Sequence, residues 1–270
     1  MTLLLIGCGK MGGAMLEGWL DQGTKATDVT IVEPNPDAAK DFVQRLGVRA
    51  ISTADELADD YAPDVVVLAV KPQVMGDALP PYAKLVKTNP VFLSIAAGKT
   101  IQSFEDILGA DAAIVRAMPN TPASVGRGIT VGCPNGNVTD AQAAHCKTLL
   151  ASVGDVEWVT DESLMDAVTA VSGSGPAYIF LLAEAMGQAG RAAGLPAELS
   201  DTLARATVAG AGELLHQSPL LASTLRTNVT SPGGTTAAAL EVLMADDGLS
   251  ALMTKAIAAA TQRSKDLASG

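Results

Sequence analysis

Leu3-Leu4-Leu5-Ile6-Gly7-Cys8-Gly9-Lys10-Met11-Gly12 stands at the start of the chain and decides the fold of its first half. Four apolar residues predict a short buried strand, and the pattern that follows predicts a helix over residues 11–20. Between them lies G-x-G-x-x-G, in the strand–turn–helix context that a dinucleotide-binding turn requires. Gly7 permits the tight turn, Gly9 lets the backbone approach a pyrophosphate, and Gly12 lets helix and strand pack closely. The stretch therefore predicts a dinucleotide site.

Outward from that stretch, short apolar runs alternate with helical patterns through the first half of the chain. One clear helical pattern covers residues 37–46 and ends at Gly47. Short, continuous apolar strands separated by helices indicate an α/β domain with a mostly parallel, doubly wound sheet and helices on both faces. After the first strand, the predicted strands cover residues 29–32, 65–70, 91–95, 112–116 and 128–132.

The second half of the chain changes character near residue 160. Helical periodicity predominates from about Ser163, and no convincing strand run follows Val159. We therefore predict a dinucleotide-binding Rossmann-type domain over residues 1–160 and an all-α domain over residues 161–270. The predicted helices of the second domain cover residues 176–193, 197–216, 237–244 and 249–267.

Composition and charge narrow the class of protein. The 270 residues are 48% hydrophobic with a formal net charge of −11, which argues against a nucleic-acid or membrane partner because either would need a basic face. Three cysteines without a C-x-x-C pair indicate no metal site and fit a reducing compartment. The first residues lack a basic signal-peptide region, and glycine and proline break the uncharged run over residues 167–183. We expect a soluble, cytoplasmic protein.

Two polar residues follow the second predicted strand, where this fold binds the adenosine ribose of a dinucleotide. Glu33 ends that strand, and an acid at this place bonds the ribose 2′-hydroxyl and favours NAD over NADP. Asn35 is instead suited to donate to a 2′-phosphate, and the turn contains no arginine. The alternative for Glu33 is a solvated loop acid. The pair predicts that NADH is used at least as well as NADPH.

Later strand ends supply further candidates, since ligands of open α/β sheets bind at the carboxyl ends of the strands. Ala69-Val70-Lys71-Pro72 contains a lysine that either acts in catalysis or phosphate binding or lines the nicotinamide through its backbone alone, and we favour the backbone role. Ser94-Ile95-Ala96-Ala97-Gly98 follows the next strand. Asn120 lies between two prolines, in a stiff loop that either presents it to the cofactor or forms a rigid turn without a ligand.

A second glycine loop, Ser231-Pro232-Gly233-Gly234-Thr235-Thr236, runs directly into a predicted helix that begins at Ala237. Unpaired N–H groups and the positive end of the helix dipole suit such a junction to an anion. We therefore assign one glycine loop to the cofactor's phosphates and the other to a small acidic substrate. The histidines, His145 and His216, have no partner at triad or metal spacing, so Thr235 or Thr236 is the candidate to bond a reacting nitrogen or relay a proton.

Small and acidic residues surround the predicted start of the helix over residues 176–193. Gly173-Ser174-Gly175-Pro176 allows either close approach to the cofactor or helix–helix contact, and the sequence does not separate these readings. Asp161, Glu162 and Asp166 precede it. An acid near the cleft is suited to bind an imine or ammonium nitrogen, whereas most acids at helix starts complement the helix dipole.

Three motifs in this order resemble those of the pyrroline-5-carboxylate reductases over nearly the whole chain. The resemblance implies reduction of 1-pyrroline-5-carboxylate to L-proline by hydride transfer from NAD(P)H, the last step of proline biosynthesis. It also implies that the helical domain interleaves with a twofold partner, so that each substrate site draws on two subunits of a homodimer, and some members form decamers. The motifs are Arg116-x-Met118-Pro119-Asn120-Thr121-Pro122, Leu164-x-Asp166-Ala167-Val168-Thr169 with Ser172-Gly173-Ser174-Gly175-Pro176-Ala177-Tyr178, and Asn228-Val229-Thr230-Ser231-Pro232-Gly233-Gly234-Thr235-Thr236.

The resemblance also implies site residues where the motifs match. The cofactor contacts that it implies are Ile6, Gly7, Cys8, Gly9, Lys10, Met11, Asn35, Ala69, Val70, Lys71, Pro72, Ile95, Ala96 and Ala97, to which the strand ends add Glu33 and Asn120. The substrate contacts that it implies are Glu162, Asn228, Thr235 and Thr236, to which the anion loop adds Ser231, Gly233 and Gly234.

The chemistry of a cyclic imine that bears a carboxylate then gives each part of the second loop a role. The substrate carboxylate lies on the backbone N–H groups of residues 233–235, hydride reaches C5 of the C=N bond, and Thr236 is the catalytic residue that hydrogen-bonds the ring nitrogen. One departure concerns the cofactor. Family members often carry a small polar residue where Glu33 stands, followed by serine or arginine, so Glu33-Pro34-Asn35 leaves the choice between NADH and NADPH open.

Two other classes of protein remain as alternatives. The β-hydroxyacid dehydrogenases share the Rossmann-plus-helical layout but need a catalytic lysine after a glycine-rich helix start, and no lysine stands between Lys147 and Lys255. The non-enzymatic alternative is a nucleotide-sensing protein that has lost its chemistry. The hydroxyls that the second glycine loop retains argue against this alternative. Oxidation of NADH with pyrroline-5-carboxylate separates the three.

Overall fold

The computed structural model describes residues 1–268 of the chain, and its contacts divide them into two compact units. The first comprises Met1–Gly173 together with the chain from Thr261, and the second comprises Ser174–Ala260. These contact-based units do not coincide with the predicted boundary near residue 160, which remains a prediction about functional domains.

The first unit is built on one eight-stranded sheet with the strand order β3-β2-β1-β4-β5-β6-β7-β8. Neighbouring strands are parallel throughout except for β6 and β7, so β7 and β8 run against the other six. The prediction of a mostly parallel sheet is confirmed. The strands are β1 (Leu3–Ile6), β2 (Val29–Val32), β3 (Arg49–Ile51), β4 (Val65–Leu68), β5 (Val91–Ser94), β6 (Ala113–Met118), β7 (Gly128–Pro134) and β8 (Gly154–Trp158).

The sheet is buried on both faces, as its continuous apolar strands require. Alternate residues of β1 face opposite sides: Leu3 and Leu5 belong to one hydrophobic cluster, whereas Leu4 and Ile6 belong to the other. Helices cover both faces of the sheet, and Trp19 is buried in the first cluster. The helices of this unit are α1 (Lys10–Asp21), α2 (Pro36–Leu46), α3 (Met75–Ala78), α4 (Ile101–Leu108), α5 (Asp140–Ala151) and α6 (Met165–Val168).

Several elements of this unit were not predicted: the strands β3 and β8, the helices α3, α4 and α6, and one irregular helix. β3 has three residues, and β8 at the edge alternates partly buried positions with exposed Asp155 and Glu157, so neither carries an apolar run. The segment Thr169–Gly173 that follows α6 is a π-helix, a form that occurs mostly as single turns and often at functional sites. No hydrophobic period distinguishes such a turn from ordinary helix.

The second unit consists of helices, as predicted. They are α7 (Gly175–Ala192), α8 (Ala197–Gln217), α9 (Ala222–Asn228), α10 (Thr235–Leu243) and α11 (Leu249–Ala268), the last of which continues into the first unit. α9 was missed because its sequence, ASTLRTN, is short and polar. The predicted start of α10 at Ala237 is wrong, since the helix begins at Thr235 with Gly234 as its N-cap.

The helical unit buries little apolar side-chain surface of its own. Ala204 is the only buried hydrophobic residue between residues 174 and 260, all of which the structure describes. Large apolar side chains instead point outward, with Phe180 66%, Leu181 62%, Val242 73% and Leu252 59% exposed. Exposed apolar surface on this scale marks an interaction surface rather than a finished domain surface.

Candidate functional site

Five strand ends meet at one edge of the sheet and bring the predicted cofactor residues together. β2, β1, β4, β5 and β6 are mutually parallel neighbours, so their carboxyl ends share that edge. The crevice at such an edge is where open α/β sheets bind ligands. The segments gathered there are the glycine turn after β1, Glu33 and Asn35 after β2, residues 69–72 after β4, residues 95–97 after β5, and Asn120 after β6.

The glycine turn after β1 has the geometry of a pyrophosphate cradle. Gly7 has φ +91° and donates its N–H to Val32 O at 3.0 Å. A Cβ on Gly12 would overlap the Gly7 carbonyl oxygen and lie 3.1 Å from the Ala69 Cβ, whereas a Cβ on Gly9 would meet no atom within 4 Å. Gly7 and Gly12 are thus required by the fold itself. Gly9 instead leaves open space beside the backbone, and a ligand can use that space.

The start of α1 supplies donors to the same space. Gly9 is the N-cap without a side-chain capping bond, and Lys10 and Met11 form the first turn. The N–H groups of a first turn have no acceptor within the helix, and the helix dipole adds positive potential. The exposed cradle and these donors fit the pyrophosphate of a dinucleotide.

Glu33 is tied to the glycine turn rather than left in solvent. Its Oε2 accepts from Cys8 N at 3.1 Å, and its Oε1 accepts from Asn35 N at 3.0 Å. Both oxygens keep further lone pairs with which to accept a ribose hydroxyl. The carboxylate is therefore held at the end of β2, where an adenosine ribose is bound in this fold.

Asn35 caps α2 as well as standing beside Glu33. Its Oδ1 accepts from Asp37 N at 3.0 Å and from Ala38 N at 3.3 Å. Capping uses only the oxygen, so the Nδ2 donors stay available for a 2′-phosphate.

The segments after β4 and β5 extend the strand ladder into the crevice. Ala69 N donates to Ile6 O at 2.9 Å, and Ile95 N donates to Leu68 O at 3.1 Å. Lys71 is exposed and precedes a 3₁₀ turn over Pro72–Val74. After β5, Ala96 is buried and Ala97 is exposed, so these short side chains leave the backbone close to the crevice.

Asn120 joins three segments of the first unit. Its Oδ1 accepts from Ile129 N at 3.0 Å, and its Nδ2 donates to Ser172 O, in the π-helix, at 3.1 Å. The side chain is buried. The geometry agrees with the rigid-turn alternative, in which Asn120 fixes its loop from within, and its cofactor contact remains a prediction.

Glu162 lies in the first unit and is paired with a buried arginine. Its Oε1 accepts from Arg116 Nη1 at 2.8 Å and from Ile101 N at 2.8 Å. The Arg116 side chain is 6% exposed and that of Glu162 is 30% exposed. Sequence reasoning gave Arg116 no role beyond its place in a motif, because its partner is 46 residues away.

The second glycine loop lies in the helical unit and joins α9 to α10. Gly233 has φ +71°, and Gly234 N donates to Ser231 O at 3.0 Å within a turn. With α10 starting at Thr235, its first-turn N–H groups belong to Thr235, Thr236 and Ala237. The amide of Gly234 is already engaged within this turn, and the assignment of residues 233–235 as donors to an anion stays a prediction.

The other candidates of this loop and of the helix start of α7 are placed as follows. Asn228 is the last residue of α9 and is exposed, and Ser231 is exposed in the loop. A Cβ on Gly173 would lie 2.5 Å from the Met118 Cε, the far end of a flexible side chain that can move away, and a Cβ on Gly175 would meet nothing within 4 Å. Close approach to the cofactor and helix–helix contact therefore both stay predictions for this helix start.

The cysteines are free and buried. Burial, reinforced by the charge of Glu33, raises the pKa of the Cys8 thiol to about 12, and burial raises the pKa of Cys146 to about 12. Such thiols are poor nucleophiles and poor metal ligands at neutral pH. Among residues 1–268, no group of three or more His, Cys, Asp or Glu side chains is arranged to hold a metal ion. None of the described helices has the length and apolar character needed to cross a membrane.

Comparison with protein families matches both halves of the chain. Residues 162–267 match the model described as pyrroline-5-carboxylate reductase dimerisation. Residues 2–98 match the model described as NADP oxidoreductase coenzyme F420-dependent. The second match agrees with the Rossmann-type turn at the start of the chain.

Relatives of known name match over nearly the full length. The pyrroline-5-carboxylate reductase of Pseudomonas aeruginosa is 39% identical over 267 residues, which cover 98% of this chain and 96% of the relative. The solved structure of a pyrroline-5-carboxylate reductase from Coxiella burnetii is 35% identical with a TM-score of 0.93 and 98% of both chains covered. The pyrroline carboxylate reductase of Plasmodium falciparum, solved with NADP bound, is 31% identical with a TM-score of 0.81, covering 99% of this chain and 98% of that one.

Proposed function

The chain belongs to the pyrroline-5-carboxylate reductase family, and we propose that it reduces 1-pyrroline-5-carboxylate to L-proline with NAD(P)H. The observation that carries the proposal is the full-length match to reductases of this name. The chain also has a glycine turn at residues 7–12 and a hydroxyl-bearing glycine loop at residues 231–236. The geometry of the sheet edge and of the glycine turn is evidence for a bound dinucleotide cofactor. The first turn of α10 is evidence for a site that binds a carboxylate.

The cofactor assignment rests on residues whose geometry fits it. The glycine turn and the first turn of α1 would hold the pyrophosphate, Glu33 would accept from the adenosine ribose, and the segments after β4 and β5 would line the nicotinamide. When bound, NAD(P)H supplies the hydride that reduces the C=N bond.

The chain's own part in the reaction is to bind and orient the imine. We assign the substrate carboxylate to the first-turn N–H groups of α10, which neutralise it without a buried cation. Thr236, the second residue of α10, would hydrogen-bond the ring nitrogen and relay a proton to it from water, so that the imine nitrogen becomes an amine as C5 takes the hydride. Asn228, Ser231, Gly233, Gly234 and Thr235 complete the proposed substrate loop, and Glu162 remains a proposed contact.

We further propose that NADH serves at least as well as NADPH. The support is the carboxylate of Glu33, which is fixed by Cys8 N and Asn35 N at the place that a 2′-phosphate would need. Two negative groups held close together repel, and the nearby turn has no arginine to offset the repulsion. Comparison of kcat/KM for the two cofactors tests this preference, and a wide margin for NADPH would reject it.

The protein forms a homo-oligomer through its helical half, which matches a dimerisation model. The exposed apolar side chains of the helical unit supply the surface for this association. A decamer and a substrate site shared by two subunits are our proposals from the family resemblance. Light scattering of the purified protein measures the number of subunits.

The remaining assignments are proposals of the same kind. We propose that residues 1–160 bind the cofactor and that residues 161–270 bind substrate and dimerise. The free, buried cysteines support a reducing, cytoplasmic location. The net charge of −11 supports the absence of nucleic-acid and membrane partners.

One assay tests the reaction. The purified protein is mixed with pyrroline-5-carboxylate and NADH or NADPH, the loss of reduced-cofactor absorbance is followed, and proline is identified as product. Turnover excludes a sensor without chemistry. If a β-hydroxyacid reduced NAD⁺ or NADP⁺ in a parallel assay, and the imine was not turned over, the proposed function would be overturned in favour of a dehydrogenase.

A further inference from the structure

We propose that Arg116 is a positioning residue for the cofactor. Arg116 acts through Glu162, which fixes residues 95–97 after β5. The inference rests on the proposed function only in taking those residues to line the cofactor. Neither Arg116 nor Glu162 needs to touch the cofactor for this role.

Arg116 is a buried cation in the middle of the sheet. It lies on β6 between Ser94 of β5 and Cys133 of β7, and its side chain is 6% exposed. Its Nη1 donates to Glu162 Oε1 at 2.8 Å. Because a buried guanidinium without a partner is costly, the sheet holds Glu162 at this place.

The same oxygen of Glu162 reaches a second segment. Oε1 also accepts from Ile101 N at 2.8 Å, and Ile101 is the first residue of α4. That N–H has no acceptor within the helix, and a carboxylate at a helix start is favoured by the dipole. One carboxylate oxygen thus connects the core of β6 to the start of α4.

This connection fixes the far end of the segment that enters the crevice. The segment leaves β5 at Ser94, whose Oγ accepts from Ala96 N at 3.2 Å, and it ends at Ile101. Ser94 is paired with Arg116 across the sheet. Both ends of the segment are therefore anchored to the same strand pair, one through the ladder and the other through the Arg116–Glu162 ion pair.

The strand order predicts which half of the cofactor this segment affects. In a doubly wound sheet the strands on one side of β1 bind the adenosine half and those on the other side bind the nicotinamide half. β2 and β3 lie on one side of β1, and β4 and β5 lie on the other. Displacement of residues 95–97 should weaken contacts to the nicotinamide half while leaving the ADP-ribose half bound.

The test compares two probes, NADH and ADP-ribose, on the intact protein by fluorescence and calorimetric titration. For Arg116→Met we expect the Kd for NADH to rise about tenfold, which corresponds to the loss of about one hydrogen bond to the cofactor, and the Kd for ADP-ribose to change less than twofold. Arg116→Lys keeps the charge and should recover part of the NADH affinity. Arg45→Met, which removes the exposed ion pairs of Arg45 with Glu17 and Asp41, is the matched control and should change neither Kd.

A merely structural role for Arg116 predicts a lower Tm with both Kd values unchanged or raised equally, and either result would overturn the proposal. If Arg116→Met does not fold, Glu162→Gln serves instead, since it removes the carboxylate charge with which Arg116 pairs. Glu162→Gln should also raise the Kd for NADH more than the Kd for ADP-ribose. Arg116→Met and Glu162→Gln combined should cost no more NADH affinity than the worse single variant, because both break one connection.

Failure of the proposed function is a separate outcome. If the unaltered protein binds NADH but does not reduce pyrroline-5-carboxylate, the reaction assignment is wrong, while the two-probe comparison still decides the role of Arg116.

Discussion

Gly9→Ala should separate cofactor binding from folding within a single glycine turn. Gly9 has φ −65° and ψ −171°, which alanine adopts without strain, and its Cβ would meet no atom within 4 Å. Alanine is a weaker N-cap than glycine but lowers the entropy of the unfolded chain, and these opposed effects are each about 1 kcal/mol or less. We therefore expect a Tm within about 3 °C of the unaltered protein.

The added methyl group should instead weaken binding of the cofactor. It occupies the space through which a pyrophosphate oxygen approaches the first-turn amides of α1. Loss of one charge-assisted hydrogen bond costs about 1.5–3 kcal/mol, which is about a 10- to 150-fold rise in the Kd for NADH. The assay is a fluorescence titration with NADH, paired with thermal unfolding in the absence of cofactor.

Gly12→Ala is the matched control in the same turn. Its Cβ would overlap a backbone oxygen of Gly7, which cannot move away as a flexible side chain can. Overpacking of this kind costs about 1–3 kcal/mol, and for a protein of this size that lowers Tm by about 3–10 °C. If Gly9→Ala bound NADH as tightly as the unaltered protein, the turn would not be the pyrophosphate site; an unchanged Tm for Gly12→Ala would refute the packing argument.

Three further predictions follow from other parts of the molecule. Thr236→Ala should lower kcat/KM for pyrroline-5-carboxylate about 10- to 100-fold, or about 1.4–3 kcal/mol, since it removes one transition-state hydrogen bond; equal steady-state kinetics would remove Thr236 from the mechanism. Glu33→Gln should raise the ratio of kcat/KM for NADPH to that for NADH about tenfold or more by removing a fixed charge, whereas Asp21→Asn at the end of α1 should leave it unchanged; an unaltered ratio in Glu33→Gln would show that Glu33 does not select the cofactor. Burial raises the folded-state pKa values of Cys8 and Cys146 from 9.0 to about 12, so their contribution to stability is complete below pH 9 and is lost as the pH rises towards 12. The free energy of unfolding should fall by about 1.4 kcal/mol per pH unit for each thiol in this range. Denaturant unfolding measures this slope, which Cys146→Ala should reduce, and a profile without pH dependence would contradict the prediction.

Much of the fold could be predicted because local patterns carry it. The strand at residues 29–32 was predicted to the residue, and the long helices α7, α8 and α11 to within one residue at each end. These elements have continuous apolar runs or clear start and stop signals. β3, β8, α9 and the π-helix lack such signals, since they are short, polar or placed at an edge, and only pairing with neighbours in the folded chain forms them.

The sequence by itself determined the chemistry that the chain offers: a dinucleotide turn at Gly7–Gly12, an anion loop with two threonines, and the motifs of its family. The tertiary structure decided how individual polar side chains are used. It joined Glu33 to Cys8 N, Asn120 to Ser172 O, and Glu162 to both Arg116 and Ile101 N. These partners lie 25 to 61 residues apart. No local pattern encodes such a pair, because a hydrogen bond depends on a distance of about 3 Å that arises only when the sheet has brought its strand ends to one edge.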